Sequence, residues 1–501
     1  MDWLSILWLC CYIPVVIGLS LFGLHRWCMV ILFWKNWRKP PQPQSRMDQL
    51  PLVTVQLPIF NELHVVRRLV DAVAKLDWPR ESLQIQILDD STDETRDICL
   101  EELARLQREG FDAELIHRVD RTGYKAGALE NGMATAKGEF VYILDADFVP
   151  PVRVLHELVH FFTDPKIALV QSRWGHINRD YSLLTKIQAM FLDGHLVVEQ
   201  VARSRSGRFF NFNGTGGMWR KQAIVDAGGW EHDTLTEDLD LSYRAQMKGW
   251  RFIYLNNVVT PAELPVDMNG FKTQQFRWTK GSIQCCRKLL GPIWRSKQPL
   301  FIKLEATAHL CTNFAYLLLC FLCFLIFPGT DKGLTVWLGP ELRTWLVDIP
   351  VFALTSLSVG LFYISGQMGA HPGAWWKRAF YLPGALALGI GLAVNSTRGI
   401  IEALMRKESP FVRTPKYGIE KKGQDYKKAK YQSLKSIGVG LECLLAIYFT
   451  VVTIYGILEK SWLSVPFYLL FMGGFWYVVA GSLPKLFPAR SSKTSGDTPA
   501  A

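Results

Sequence analysis

Val141-Tyr142-Ile143-Leu144-Asp145-Ala146-Asp147 is the stretch on which the reading of the chain turns. An apolar run ends in two carboxylates spaced i, i+2, the pattern of a buried strand that carries paired oxygen ligands to the rim of a sheet. Such a pair suits a hard divalent cation, and Mg²⁺ commonly takes one or two carboxylates together with phosphate oxygens. The stretch therefore reads as a seat for a nucleotide diphosphate. Taken alone, the same letters describe a strand ending in two solvated acids, so the surroundings must decide.

Upstream, strand and helix patterns alternate. Strands are expected at 52–57, 83–88, 113–117 and 139–144, with helices near 62–75, 94–107 and 125–136. That rhythm predicts a parallel or mostly parallel sheet with helices on both faces. Ligands of such sheets gather at the carboxyl ends of the strands. Asp89-Asp90 and Asp145/Asp147 both fall at those ends, so two acidic clusters distant in sequence are expected to share one crevice.

The flanks are of another kind. The chain has 501 residues, 49% of them hydrophobic, and the apolar excess is concentrated at the N-terminus and in the last two fifths. Residues 3–24 are long enough to span a bilayer, with no convincing signal-cleavage site at their end. Further apolar segments are expected at 306–327, 347–364, 381–394, 437–458 and 465–483. The net charge of +11 raises the possibility of nucleic acid. Many of the Lys and Arg instead flank apolar segments, where the positive-inside rule and anionic head groups account for them, so no nucleic-acid partner is expected. Arg26, Lys35, Arg38 and Lys39 place the following domain in the cytoplasm. A basic stretch from Arg406 to Lys430, including Lys427 and Lys428, must face the same side, which requires one preceding segment, 381–394 for preference, to be re-entrant or interfacial. The ten cysteines show no metal-ligand spacing and read as reduced packing residues.

Four further stretches carry candidate chemistry. Asp89-Asp90 could accept hydrogen bonds from a base or ribose, or merely cap the helix that follows. Gly123-Tyr-Lys-Ala-Gly-Ala128 offers Lys125 at a helix start, suited to a diphosphate, or is an ordinary loop with an exposed lysine. In Thr236-Glu237-Asp238 a carboxylate near the crevice could act as general base, though acids favour helix starts for dipole reasons alone. Residues 271–290 read as an interfacial amphipathic helix. On it, Gln274 and Arg277 lie one turn apart and could face a diphosphate, while Trp278 offers a stacking surface to a sugar.

In this order, Asp89-Asp90, Asp145-Ala146-Asp147, Thr236-Glu237-Asp238 and Gln274-x-x-Arg277-Trp278 resemble the D, DxD, TED, QxxRW set of processive, membrane-embedded family 2 glycosyltransferases. The resemblance covers residues 53–291. The stretches at 88–93, 123–128, 212–215 and 228–230 are most similar to the cellulose-synthase-like A group, the β-mannan and glucomannan synthases, and to bacterial relatives. It implies a multi-pass membrane protein in which an α/β GT-A (Rossmann-like) catalytic domain is inserted between transmembrane helices. Its expected parts are a transmembrane segment and basic flank (1–36), the cytoplasmic catalytic domain (37–270), the interfacial helix (271–300), a C-terminal transmembrane region (301–485) with a basic loop at 405–435, and a disordered tail (486–501).

The resemblance further implies an inverting, metal-dependent transfer from a nucleotide sugar, GDP-mannose or UDP-glucose. Asp89, Asp90 and Lys125 would hold the nucleotide, and Asp147 with Asp145 would hold Mg²⁺ or Mn²⁺. Asp238 would be the base. Gln274 and Arg277 would bind the diphosphate, and Trp278, Glu237 and Phe212-Asn213-Gly214-Thr215 the acceptor sugar. Phe411-Val-Arg-Thr-Pro-Lys416 resembles the gating loop that covers the nucleotide in bacterial cellulose synthases, with Phe411, Thr414 and Lys416 matching and Arg413 departing from the pattern. The expected product is a β-linked, β-1,4 hexose polysaccharide passed through the bilayer at a bacterial inner membrane or its equivalent. Two other readings stand beside it: a glycolipid synthase acting on ceramide or diacylglycerol, and a transporter whose soluble domain only binds nucleotide.

Overall fold

The computed structural model describes residues 3–326, 339–424 and 438–483. Lys427, Lys428 and Lys430 of the basic stretch and the 486–501 tail lie outside the described residues. Seven strands form one sheet: β1 (Val53–Ile59), β2 (Leu83–Asp89), β3 (Asp112–His117), β4 (Phe140–Ile143), β5 (Ile167–His176), β6 (Gly217–Arg220) and β7 (Arg251–Ala262), in the order β3-β2-β1-β4-β6-β5-β7. The four strands expected from the sequence are there and mutually parallel. β6 runs antiparallel to β4 and β5, so the sheet is mixed. With four residues, β6 is too short to stand out as an apolar run.

β1 alternates strictly. Val53, Val55, Leu57 and Ile59 enter one core with the helix Val66–Ala74, while Thr54 and Gln56 point to the other face. There they are buried and hydrogen-bonded, Thr54 donating to Gln84 (2.7 Å) and the Gln56 amide nitrogen to Gln86 (2.9 Å). The strand order reverses between β1 and β4, the place where an open α/β sheet leaves a crevice beyond its carboxyl ends. Asp145 follows β4, which flanks this point, and Asp90 follows β2, the neighbour of β1 on its other side.

The first helix runs over Trp3–Asn36 and so extends beyond the expected 3–24, carrying Arg26 and Lys35 on it. Its last turns are not free: Met29, Val30 and Phe33 are buried in the same core as Val197, Val201 and Ala202 of the catalytic domain. Among the described residues four helices are long and apolar enough to cross a membrane, Ile6–Asn36, Ile349–Ala370, Val439–Leu458 and Val465–Ser482. Two bent pairs, Leu300–Cys311 with Phe314–Leu325 (53°) and Trp375–Gly391 with Ala393–Leu404 (42°), would raise the number to six. The expected re-entrant segment 381–394 falls in the second pair.

A long helix, Met268–Arg295, lies between the two regions and contains the expected amphipathic segment. Its Lys272 is fully buried and paired at 2.7 Å with Glu442 of the Val439–Leu458 helix, a contact that ties the catalytic side to the membrane side, since a buried charge needs its partner. Beyond the second bent pair, Lys416 reaches Asp147 of the catalytic domain at 2.7 Å. This contact sets the segment after the second bent pair against the catalytic domain. Among the described residues, three apolar units lie between residues 295 and 406.

Candidate functional site

One cavity opens at the reversal point. It is lined by Asp90 beyond β2, Asp145 and Asp147 beyond β4, Asn213 and Gly214 before β6, Glu237 and Asp238 at the start of the helix Glu237–Met247, and Gln274, Arg277 and Trp278 of the long helix. Residues separated by up to 188 positions thus converge, and the loop carrying Phe411, Arg413, Thr414 and Lys416 closes over them.

Each carboxylate of the Asp145/Asp147 pair faces an ammonium. Lys125 donates to Asp145 Oδ1 at 2.5 Å and to the Gly214 carbonyl at 2.9 Å. Burial opposes the charge on Lys125, but Asp145 and then Glu237 outweigh it and hold its pKa above the usual range. Asp145 keeps a third of its side chain exposed, and its backbone N–H donates to Thr215 Oγ1 at 2.9 Å. Asp147 is almost fully buried, its Oδ2 accepting from Lys416 Nζ (2.7 Å) and from the Glu263 N–H (3.0 Å). Two oxygen-only ligands that already accommodate cations are a donor set suited to Mg²⁺ or Mn²⁺.

Across the cavity, Asp238 Oδ1 accepts the Leu239 N–H at 2.8 Å, leaving Oδ2 directed toward Gly214. Burial, reinforced by the neighbouring Glu237, pushes the Asp238 carboxyl up to about 7. A carboxylate with its pKa near working pH is poised to take a proton. Arg277 donates to the Val412 carbonyl (3.1 Å) with its guanidinium 4.5 Å from the Phe411 ring; burial lowers its pKa.

Three expected residues stand behind the wall. Asp89 is fully buried, its oxygens taken by the Ser91 N–H and His117 (3.0 and 2.9 Å), so it holds the strand end in shape and does not line the cavity. Phe212 is fully buried against Trp219, and Thr215 is spent on Asp145. Asp90 does face the cavity, clamped by two bonds from Arg118 (2.9 and 2.6 Å). Asn213 is fixed at both polar atoms of its side chain. Its Oδ1 accepts from Gln171 (2.6 Å) and Gln200 (2.7 Å), and its Nδ2 donates to His195 Nε2 (2.9 Å). His195 must then carry its proton on Nδ1, which donates to Glu199 at 2.8 Å.

The sequence reading missed Glu62, Arg121, Trp174, His176 and Glu263, all on the cavity wall, where Arg413 of the expected loop also stands. Glu62 and Glu263 immediately follow the region of β1 and the end of β7, so the strand-end rule applied to every strand finds them. Glu62 is pushed up to about 8, by burial first and, among smaller causes, by the nearby Asp147.

Gly214 has φ +85°, and a Cβ there would lie 2.9 Å from Asp238 Oδ2 and 3.4 Å from Lys125 Nζ. Gly214→Ala therefore strains the backbone and displaces the two groups that face each other across the cavity. Initial rates are expected to fall about 100-fold, because small misplacements of reacting groups are costly, and the melting temperature to fall modestly, because alanine at positive φ costs roughly 1 kcal/mol or more.

The model of the "Glycosyl transferase family 2" family matches residues 54–224, and that of "Glycosyl transferase family group 2" matches 140–330. Glucomannan 4-beta-mannosyltransferase 7 of Arabidopsis thaliana is 34% identical over 397 residues, 73% of this chain and 68% of that protein. Glucomannan 4-beta-mannosyltransferase 2 of the same plant is 42% identical over 287 residues, 55% of this chain and 54% of that protein. This chain thus spans about two thirds of the first and half of the second. Among solved structures, the mannosyltransferase PcManGT of Pyrobaculum calidifontis, in complex with GDP-Man and Mn²⁺, is 23% identical, with a TM-score of 0.49 over 69% of this chain and 98% of that one. The similarity to the first plant enzyme, over most of both sequences, and the matched catalytic region identify the chain as a member of the family 2 glycosyltransferases, with a GT-A catalytic domain.

Proposed function

We propose that the chain is an inverting, metal-dependent mannosyltransferase that moves mannose from GDP-mannose to a growing β-1,4-linked mannan or glucomannan and passes the product through its own membrane helices. The observation that carries this reading is the opposition, across one cavity, of a carboxyl held near neutral pKa and a pair of carboxylates suited to a divalent ion. The names of the plant relatives supply the sugar and the linkage.

In this reading Asp238 takes the proton of the acceptor hydroxyl, whose oxygen attacks the anomeric carbon from the face opposite the departing diphosphate, inverting that centre. Asp145 and Asp147 would hold Mg²⁺ or Mn²⁺, which when bound offsets several kcal/mol of charge developing on the leaving group. Arg277, Gln274 and Lys125 supply hydrogen bonds to the same phosphates. Trp278 and Asn213-Gly214 bear on the acceptor sugar, and Asp90 on the nucleoside end. The basic flank of the first helix and the loop docked on the catalytic domain favour a cytoplasmic face for the site.

Membranes containing the chain, supplied in turn with labelled sugar nucleotides and Mn²⁺, test this. GDP-mannose should give an insoluble product cut by β-mannanase. Label in an organic-extractable lipid, or turnover of UDP-glucose alone, would replace the reading with a glycolipid or glucan synthase.

A further inference from the structure

The segment at 411–420 meets the catalytic domain as cations against acids. Lys416 Nζ donates to Asp147 Oδ2 (2.7 Å) and to the Glu263 carbonyl (2.9 Å). Arg413 pairs with Glu62 at 2.7 Å, and the Tyr417 N–H donates to Glu263 Oε1 at 2.9 Å. Arg68 of the catalytic domain pairs with Glu420 at 3.0 Å. Glu62, Asp147 and Glu263 thus face Arg413, Lys416 and Arg68 in that order, and Lys416 keeps only 13% of its side chain exposed. At the front of the segment, Phe411 stacks on Tyr124 (5.6 Å between centroids).

The carboxylate that Lys416 holds is also one that a divalent ion on the Asp145/Asp147 pair would take. An ammonium and a doubly charged ion on the same buried carboxylate repel strongly, since the surroundings screen them poorly. The lysine can leave, because its charge sits on a flexible four-carbon stem. It leaves Asp147 most readily when another anion is offered close by, as the phosphates of a donor are.

Resting on the reading of Asp145 and Asp147 as metal ligands, we propose that Lys416 is a tethered counter-cation that competes with the divalent ion for Asp147. Arg413 on Glu62 and Tyr417 on Glu263 are the latch that holds it there. Metal binding alone is then weakened by the fraction of molecules in which Asp147 is taken. Metal and sugar nucleotide bind cooperatively, because the ion displaces the ammonium and the diphosphate receives it. The latch keeps the ion off a site that has no donor.

Mn²⁺ alone, titrated into the full chain in detergent micelles and followed by the spin-resonance signal of the free ion, measures this without turnover. Lys416→Gln should bind Mn²⁺ at least about tenfold more tightly than the unsubstituted chain. Arg413→Gln, which loosens the latch and leaves Asp147 and Lys416 in place, should gain a smaller factor, about threefold. In the unsubstituted chain, Mn²⁺ should speed amide hydrogen exchange over residues 411–420. Equal affinities in all three chains, or exchange unmoved by Mn²⁺, would overturn the competition while leaving the metal reading intact. Absence of Mn²⁺ binding even in Lys416→Gln would overturn both.

Discussion

Asp238→Asn lowers the transfer rate by about 10²–10⁴, the range that a positioned general base supplies, while binding of GDP-mannose and Mn²⁺ survives. The amide keeps the shape of the carboxyl and can still accept the Leu239 N–H, so the wall of the cavity is preserved. The substitution is also expected to spare stability. A carboxyl raised to about 7 in the folded protein, against about 4 in the unfolded chain, makes the folded state lose stability as pH rises through that window, and Asn removes the loss. The same shift fixes the pH profile. The base works only when deprotonated, so the rate of the unsubstituted enzyme should climb with pH through about 7 and level above it. A profile with no acid limb near 7, or full activity in Asp238→Asn with the protein folded, would remove Asp238 from this role.

Asp147→Asn should abolish Mn²⁺ binding and reduce transfer by roughly three orders of magnitude, since several kcal/mol of leaving-group stabilisation depend on the ion. Asp147 is the deeper of the two carboxylates, fixed by the Glu263 N–H, so no rearrangement is at hand to replace it. Chelation separates this effect from a folding defect. Removing metal from the unsubstituted enzyme should bring its rate down to that of Asp147→Asn, and the same treatment should leave the variant's rate unchanged. A variant still sensitive to chelator would place the ion elsewhere.

The sequence made the reacting groups legible because their chemistry is written locally. Asp145 and Asp147 end an apolar run, Glu237 and Asp238 open a helix, and Gln274, Arg277 and Trp278 share one helical segment. What stayed hidden depends on closure in three dimensions. Asp89 and Asp90 are equivalent as letters, yet the turn after β2 directs one to His117 and the other to the cavity. Glu62 and Glu263 acquire meaning only when the 411–420 segment brings Arg413 and Lys416 to them. β6 escaped because four residues between a glycine turn and a helix carry too little pattern, though it supplies the antiparallel link that positions Asn213 and Gly214.

The buried contact of the first helix bears on how the enzyme can be handled. Phe33 and Met29 complete the core around Val197, Val201 and Ala202, and Arg205 caps the carbonyls of Asn36 and Trp37. A chain of polar contacts continues the link: Asn213 to His195, His195 to Glu199, Glu199 to Arg203, Arg203 to Glu305 and Glu305 to His25. A water-soluble fragment cut at residue 37 would bare that apolar face and strip Glu305 of one partner. The catalytic domain shares its core with the end of the first helix, and a purified form that keeps this helix is expected to be the more stable one.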